Sequence, residues 1–188
     1  IVQQTPPDFK RLLMIIEKLR QLERESIRRG IPIIGPEVGT WLVSILYQHK
    51  PTRVLELGTA NGYSGCILGS EGAHLTTIEI NSQIAKEAKR NFTQFHINAT
   101  VIVGDAVQEI KKLSIPFDLI FIDFAKKKYL EVLEPCLRLL NQGGILIADN
   151  ITFEDCQDFK KAVLTHPLLK TSLIKIRTGL SYSEKVNT

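Results

Sequence analysis

The 188-residue sequence predicts an α/β protein with a doubly wound, seven-stranded and mainly parallel sheet. Short apolar runs alternate with helical segments from residue 52 onward, which is typical of parallel strands joined by crossover helices. The strand runs are continuously apolar, as expected when helices cover both faces of a sheet. The last two strands are separated only by Thr178-Gly179 and should be antiparallel, because a parallel connection needs about a dozen residues.

The individual elements follow from apolar spacing and from turn residues. An amphipathic helix is predicted from Asp8 to Arg29, where Gly30 ends it, and a second helix from Glu37 to His49. These extra helices precede the sheet. The predicted strands are Arg53–Leu57, Leu75–Ile80, Thr100–Val103, Asp118–Ile122, Gly144–Ala148, Lys170–Arg177 and Gly179–Glu184. The helices between them are predicted at Gly62–Gly69, Ser82–His96, Ala106–Leu113, Lys127–Leu140 and Asp155–Thr165.

Composition favours one globular domain. Hydrophobic residues make up 44% of the chain and charged residues 23%, and the length leaves little room for a second domain. No apolar run approaches the ~20 residues that span a bilayer, and the start lacks a signal-peptide pattern. The three cysteines show no paired spacing, which argues against a disulfide framework. We expect a cytoplasmic protein with no membrane partner, although a short leader could precede Ile1.

The first predicted strand ends in a loop suited to ligand binding. Gly58 and Gly62 allow a sharp turn and a close backbone approach, and the helix that follows offers unpaired N–H groups. A dinucleotide-binding loop would follow the pattern G-x-G-x-x-G, but Ala60 stands at the middle glycine. Glu56, just before the loop, would repel a phosphate but could accept hydrogen bonds from an ammonium group. Both residues disfavour the alternative of an NAD-dependent oxidoreductase.

Acidic residues follow the second and third strands. Glu79 lies about 20 residues after the loop, where an acid can bind both hydroxyls of a ribose. Asp105 follows the third strand and could reach an adenine amino group. With the glycine loop, these acids predict an adenosine ligand that carries a cationic amino-acid tail and no phosphate. S-adenosylmethionine fits that description.

A second polar group follows the fourth and fifth strands. Asp123 ends one and Asp149-Asn150 the other, so two carboxylates and an amide oxygen would converge if the strands are neighbours. Such hard oxygen ligands suit Mg²⁺ or Ca²⁺, and open coordination positions can take a vicinal diol or enol. Lys126 could take or stabilise the departing proton. A single Asp after a strand is, however, often a helix N-cap, and a single Lys is commonly solvated.

At these motifs the sequence resembles the catechol O-methyltransferase-like family of metal-dependent, S-adenosylmethionine-dependent enzymes. The matching stretches are Val54–Gly65, Thr77–Asn81, Phe117–Tyr129 and Gly143–Asn150. The resemblance implies a Rossmann-like methyltransferase fold. It also implies one methyltransferase domain over residues 1–188, with a helical cap at 1–50 and the core at 51–188.

The resemblance assigns roles to individual residues. It implies a catalytic role for Lys126 and Asp123, and a metal site, with Mg²⁺ the expected ion, at Asp123, Asp149 and Asn150. The residues that match cofactor contacts are Ile34, Glu56, Gly58, Ala60, Tyr63, Ser64, Glu79, Ile80, Asp105, Ala106 and Asp123.

The methyl acceptor is left open between two classes. Ala125 stands where many relatives carry a second acid, which weakens the analogy to the plant caffeoyl-coenzyme A enzymes. Ala125 and the stretch His166–Lys185 bring the chain closer to a bacterial branch that methylates 5-hydroxyuridine in the tRNA anticodon. We expect a catechol-like small molecule as the family-wide default, with tRNA as the alternative and an inactive cofactor-binding protein as a further one. A homodimer is also expected.

The connection after Asp149-Asn150 is short. In the resembling family this pair leads into a longer loop that walls the substrate site, whereas here Ile151-Thr152-Phe153 runs directly toward the next helix. Two interpretations follow from the sequence. Either the substrate side is open, which would suit a large acceptor, or a mobile loop belongs between these residues and the helix.

Overall fold

A seven-stranded sheet organises residues 7–187, the part of the chain that a computed structural model describes. Its strands are β1 (Arg53–Leu57), β2 (His74–Glu79), β3 (Ala99–Val103), β4 (Phe117–Ile122), β5 (Leu140–Ala148), β6 (Leu169–Ile174) and β7 (Leu180–Lys185). They are arranged in the order β3-β2-β1-β4-β5-β7-β6. The pairs from β3 to β5 are parallel, and β7 is antiparallel to both of its neighbours. The predicted doubly wound, mainly parallel sheet is therefore confirmed.

Helices cover both faces of the sheet. They are α1 (Pro7–Lys18), α2 (Arg20–Arg28), α3 (Pro36–His49), α4 (Tyr63–Leu68), α5 (Ser82–Gln94), α6 (Ala106–Lys112), α7 (Tyr129–Leu139) and α8 (Gln157–Thr165). The 3₁₀ turns Lys126–Lys128 and Glu154–Cys156 precede α7 and α8. The predicted first helix is divided at the buried Leu19, yet the Glu23 N–H still donates to the Leu19 carbonyl (2.8 Å). The division is therefore a bend between α1 and α2 rather than a gap.

Two hydrophobic layers enclose the sheet, and β4 contributes to both. Leu119 and Phe121 pack into the layer formed with α1 and α3–α5, whereas Ile120 and Ile122 pack into the layer formed with α6–α8. All four side chains are fully buried. Because alternate residues of a strand face opposite sides, a strand covered on both sides is apolar at every position.

The last two strands differ from the prediction in their connection. Five residues, 175–179, join β6 to β7, where the sequence predicted only Thr178-Gly179. Arg177 (φ +48°) and Gly179 (φ +72°) both adopt left-handed backbone conformations, and the Gly179 N–H donates to the Ile176 carbonyl (2.8 Å). This turn places β7 between β5 and β6, next to the chain that carries Asp149 and Asn150.

The amino-terminal helices are fastened to the glycine loop and to α5. Asn61 Nδ2 donates to Ser26 Oγ on α2 (2.7 Å), and Arg29 binds both carboxylate oxygens of Glu87 (2.7 and 2.8 Å). These contacts hold α2 beside the carboxyl end of the sheet. None of the helices within residues 7–187 combines the length and the apolar character needed to cross a bilayer.

Candidate functional site

A cavity of about 270 Å³ lies at the carboxyl end of the parallel strands, where ligands bind in open α/β sheets. The loop before α3 borders it with Pro32 and Ile33. Ten of the eleven residues predicted to contact a cofactor line it: Ile34, Gly58, Ala60, Tyr63, Ser64, Glu79, Ile80, Asp105, Ala106 and Asp123. The eleventh, Glu56, does not line the cavity.

The glycine loop is shaped by neighbouring strands as well as by the cavity. Gly58 has φ +97°, and a Cβ at this position would lie 2.0 Å from the carbonyl oxygen of Asp123. Only glycine therefore allows β1 and β4 to end so close together. Ala60 adopts φ +46°, and its N–H donates to Glu79 Oε2 (2.9 Å). This hydrogen bond stabilises a left-handed conformation that glycine would adopt more readily.

Glu56 lies one layer behind the cavity rather than in it. Its side chain is fully buried and accepts hydrogen bonds from Ser64 Oγ (2.5 Å) and Thr77 Oγ1 (2.6 Å). Ser64 lines the cavity and Glu56 does not, so the predicted contact between Glu56 and a cofactor stays a prediction. The hydrogen bond to Glu56 orients the Ser64 hydroxyl.

Burial gives Glu56 an unusual pKa. Loss of water raises the pKa of its carboxyl to about 8, against the opposing effect of the hydrogen bonds from Ser64 and Thr77. The negative charges of Asp123 and Glu79 also contribute to this raised value. The carboxyl is therefore mainly protonated at neutral pH.

Glu79 remains able to bind a diol although both of its oxygens already accept backbone hydrogen bonds. Oε1 accepts from the Asn81 N–H (2.8 Å) and Oε2 from the Ala60 N–H (2.9 Å). Each carboxylate oxygen has a second lone pair. The backbone contacts thus fix the carboxylate in one orientation, and each of its oxygens can still accept a second hydrogen bond.

Asp105 combines two structural contacts at the other side of the cavity. Its Oδ1 caps α6 by accepting from the Val107 N–H (2.9 Å), and its Oδ2 accepts from Lys128 Nζ (2.6 Å). The hydrogen bond from Lys128 lowers the pKa of Asp105. The sequence did not predict this ion pair, because no motif links residues 23 positions apart.

Asp123 and Lys126 form an ion pair at the mouth of the cavity. Lys126 Nζ donates to Asp123 Oδ1 (2.6 Å) and lies 5.6 Å from the centre of the Tyr129 ring. The side chains of Lys126 and Asp123 are only 20% and 19% exposed, so the pair is shielded from bulk water. The sequence had predicted a role for Lys126 at the departing proton but not this ion pair with Asp123.

Asp149 directly follows β5 and lies beside Ile122, the last residue of β4. Its side chain is 4% exposed, and its N–H donates to the Ile122 carbonyl (3.0 Å). Burial and the negative charge of Asp123 together raise the pKa of Asp149 to about 6, against the opposing charges of Lys126 and Arg177. The two carboxylates therefore repel each other across the sheet edge.

Asn150 is held by the turn between β6 and β7. It adopts φ +60°, and its Nδ2 donates to Thr178 Oγ1 (2.7 Å). Within residues 7–187, no group of three or more His, Cys, Asp or Glu side chains is placed to hold a metal. The predicted set of Asp123, Asp149 and Asn150 contains two carboxylates and one amide, so it remains a prediction.

The connection after Asn150 is a continuous turn. The Phe153 N–H donates to the Asn150 carbonyl (3.0 Å), and the Cys156 N–H donates to the Phe153 carbonyl (3.0 Å). Gln157 Nε2 donates to the same Phe153 carbonyl (2.8 Å). These hydrogen bonds close the short connection, in which Phe153 is 44% exposed.

A comparison with known families distinguishes the methyltransferase interpretation of this site from the oxidoreductase alternative. The model of a family described as "O-methyltransferase" matches residues 11–186. The chain belongs to the O-methyltransferase family. This membership does not support the oxidoreductase alternative.

Two relatives of this chain are O-methyltransferases named for different acceptors. The catechol O-methyltransferase of Bos taurus is 32% identical in an alignment of 167 positions that covers 82% of this chain and 60% of that protein. A protein-L-isoaspartate O-methyltransferase of Ignicoccus hospitalis is 31% identical in an alignment of 146 positions that covers 73% of this chain and 67% of that protein. The chain thus spans less than two thirds of the length of the bovine relative.

Solved structures agree with the fold. A putative caffeoyl-CoA O-methyltransferase from Staphylococcus aureus superimposes with a TM-score of 0.82 at 25% identity, over 96% of this chain and 100% of that one. The O-methyltransferase from Bacillus cereus in complex with SAH gives 0.80 at 20% identity, over 98% and 93% of the two chains. The methyltransferase fold predicted from the sequence is confirmed.

Replacing Glu56 by Gln should change how stability depends on pH. The ordinary pKa of a glutamate is 4.5, whereas that of Glu56 in the folded protein is about 8. The folded state binds more protons between these values, so the free energy of unfolding falls as pH rises through this window. One such group contributes at most about 1.4 kcal/mol per pH unit. Urea unfolding at several pH values should show a weaker pH dependence for Glu56→Gln than for the wild type.

Glu154→Gln is the matched control, because Glu154 is exposed in the 3₁₀ turn before α8. It should retain the wild-type pH dependence. Equal pH slopes for the wild type and Glu56→Gln would mean that Glu56 is ionised in the folded protein at neutral pH, contrary to this account.

Proposed function

We propose that this chain is an S-adenosylmethionine-dependent O-methyltransferase acting on a metal-chelated hydroxyl of a catechol-like small molecule. One observation carries the proposal. A single cavity is lined by residues that follow β1, β2, β3 and β4, namely Gly58, Ile80, Asp105 and Asp123. Asp149 follows β5, the strand that pairs with β4. Family membership and the SAH-bound relative from Bacillus cereus support the same activity.

The cofactor would lie along this cavity with its ribose on Glu79. The carboxylate is already fixed by backbone N–H groups, so binding a diol needs little reorganisation. Ile80, which is 69% exposed, and Ala106 offer apolar surface for the adenine. Gly58 and Ser64 lie nearer to Asp123 and would contact the amino-acid part.

The residues at the sheet edge fit a divalent cation. Asp123 and Asp149 repel each other, and a cation between them would remove that repulsion. Asn150 gives its amide N–H to Thr178, which leaves the amide oxygen as its ligand atom. We propose Asp123, Asp149 and Asn150 as the ligands of Mg²⁺, because this ion prefers oxygen ligands. When bound, the cation supplies positive charge that lowers the pKa of the acceptor hydroxyl, and S-adenosylmethionine supplies the methyl group.

Lys126 is suited to stabilise the deprotonated acceptor. Its ammonium group, held at Asp123, cannot itself take the hydroxyl proton, which would pass to water, but it can stabilise the negative charge left on the acceptor oxygen. The surrounding Phe124 and Ala125 are part of the cavity wall and limit access of water. We therefore assign Lys126 and Asp123 as the catalytic residues.

A tRNA acceptor is the second candidate, and a specific observation favours it. The connection after Asn150 is a short hydrogen-bonded turn, so little of the chain would cover a large acceptor. The lysines of the 3₁₀ turn Lys126–Lys128 lie next to this connection. The relatives do not favour one acceptor over the other, since they include enzymes named for catechol and for protein L-isoaspartate. A homodimer and a cytoplasmic location are further proposals that belong to this function.

The test is methyl transfer from labelled S-adenosylmethionine to a panel of catechols and to undermodified tRNA, each with and without a chelator. Label in a catechol that disappears with the chelator would support the proposal. Label only in tRNA would favour the second candidate. No transfer to any hydroxyl acceptor would reject both.

Removing the Asp149 carboxylate should abolish methyl transfer but not cofactor binding. In Asp149→Ala the proposed cation loses one of its two charged ligands, while the residues assigned to the ribose are untouched. We expect chelator-sensitive activity to fall to background and the cofactor Kd to change by less than about threefold. Asp158→Ala is the control, because Asp158 is exposed on α8. Retention of chelator-sensitive activity in Asp149→Ala would contradict the metal assignment.

Removing the Glu79 carboxylate should do the reverse. Glu79→Ala loses the charge-assisted hydrogen bonds to the ribose, and cofactor binding should weaken by ~1–3 kcal/mol, as measured by calorimetry. Saturating cofactor should restore much of the methyl transfer. An unchanged cofactor Kd would show that the ribose does not bind at Glu79. Glu79→Ala also loses the hydrogen bond from the Ala60 N–H. The melting temperature of the variant shows whether that loss destabilises the fold, apart from the weaker cofactor binding.

A further inference from the structure

The turn between β6 and β7 contributes to the candidate site. Asn150 Nδ2 donates to Thr178 Oγ1 (2.7 Å), and the Thr152 N–H donates to the Thr178 carbonyl (3.1 Å). The Ile151 N–H donates to the Gly179 carbonyl (3.0 Å). Three hydrogen bonds thus fix this turn against the chain that follows Asp149. Arg177 is the residue directly before this contact.

The side chain of Arg177 crosses from this turn to the loop that covers the cavity. A Cβ built on Gly35 would lie 1.9 Å from Arg177 Nη1 and 2.9 Å from its Cζ. Gly35 is buried, and its neighbour Ile34 lines the cavity. The guanidinium therefore lies against the segment that borders the cavity, although Arg177 itself does not line that cavity.

The side chain of Arg177 is exposed. Among residues 7–187, its guanidinium forms no hydrogen bond or ion pair, but its positive charge acts on the nearby Asp149 carboxylate and lowers the pKa of Asp149. The two lysines nearest the cavity differ, because Lys126 is paired with Asp123 and Lys128 with Asp105. The backbone of Arg177 is also left-handed (φ +48°), a conformation uncommon for arginine. The guanidinium thus lies exposed near Asp149, with its N–H donors open to solvent or to a ligand.

We propose that Arg177 binds an anionic group, a carboxylate or a phosphate, on the methyl acceptor and so selects acceptors that carry one. This inference rests on the proposed function. A guanidinium offers paired N–H donors that match either oxyanion. The acceptor would lie with its hydroxyl toward Asp149 and its anionic group toward Arg177.

Two matched pairs of compounds separate the two sources of negative charge. The carboxylate pair is 3,4-dihydroxybenzoate and 4-methylcatechol, and the phosphate pair is 5-hydroxyuridine 5′-monophosphate and 5-hydroxyuridine. Equilibrium binding of each is measured to protein saturated with S-adenosylhomocysteine and Mg²⁺. We expect the charged member of at least one pair to bind about tenfold more tightly than its neutral partner. The pair that shows the preference identifies the anion.

Variants of the turn test whether Arg177 causes this preference. Arg177→Asn removes the charge and keeps a residue that tolerates the left-handed conformation, so the preference should fall to about twofold or less. Arg177→Lys should retain part of it. Gly35→Ala keeps the charge but displaces the guanidinium, and it should lower the preference as well. Lys175→Gln is the matched control, an exposed cation of the same turn, and should bind like the wild type.

The outcomes distinguish this inference from the proposed function. Equal binding of charged and neutral members by the wild type would overturn the inference, as would an undiminished preference in Arg177→Asn or no binding of any member. Methyl transfer is followed separately with the same compounds. A charge preference that depends on Arg177, in a protein that methylates none of them, would support an anion site at Arg177 and reject the proposed acceptor.

Discussion

The site depends on a backbone constraint at the carboxyl edge of the sheet. The strand ladder continues one residue beyond the strand ends. The Gly58 N–H donates to the Ile78 carbonyl (3.0 Å), the Asp123 N–H to the Leu57 carbonyl (2.9 Å) and the Asp149 N–H to the Ile122 carbonyl (3.0 Å). Residues far apart in sequence are thereby fixed side by side. The ladder closes only because Gly58 lacks a Cβ, which would lie 2.0 Å from the Asp123 carbonyl oxygen. Ligand approach and strand packing therefore require the same glycine.

This edge concentrates negative charge, and the surrounding elements balance it in different ways. Lys126 pairs with Asp123, and Lys128 pairs with Asp105. Burial keeps the carboxyl of Glu56 largely protonated by raising its pKa to about 8, so this residue orients Ser64 without adding a charge. Among residues 7–187 Asp149 forms no ion pair, and burial and the nearby Asp123 raise its pKa against the opposing charges of Lys126 and Arg177. A cation at this edge would complete the balance.

The sequence predicted the sheet well because apolar runs and helical spacing are local signals. Strand ends, and hence the lining of the cavity by Glu79, Asp105 and Asp123, follow from those runs. Contacts that depend on tertiary packing were not predictable. Glu56 stands beside the loop in sequence, but its cross-strand neighbour Thr77 and the α4 residue Ser64 enclose it. The Lys128–Asp105 pair and the place of Arg177 arise in the same way, from turns whose lengths no motif specifies.

The most direct test of the account is a crystal structure of the protein with S-adenosylhomocysteine, Mg²⁺ and a catechol. The account predicts the ribose hydroxyls at Glu79 and one metal ion ~2.0–2.6 Å from oxygens of Asp123, Asp149 and Asn150. It also predicts both catechol oxygens on that ion. A cofactor bound outside the cavity would contradict the account. So would an edge that holds no metal at saturating Mg²⁺ while the catechol is bound elsewhere.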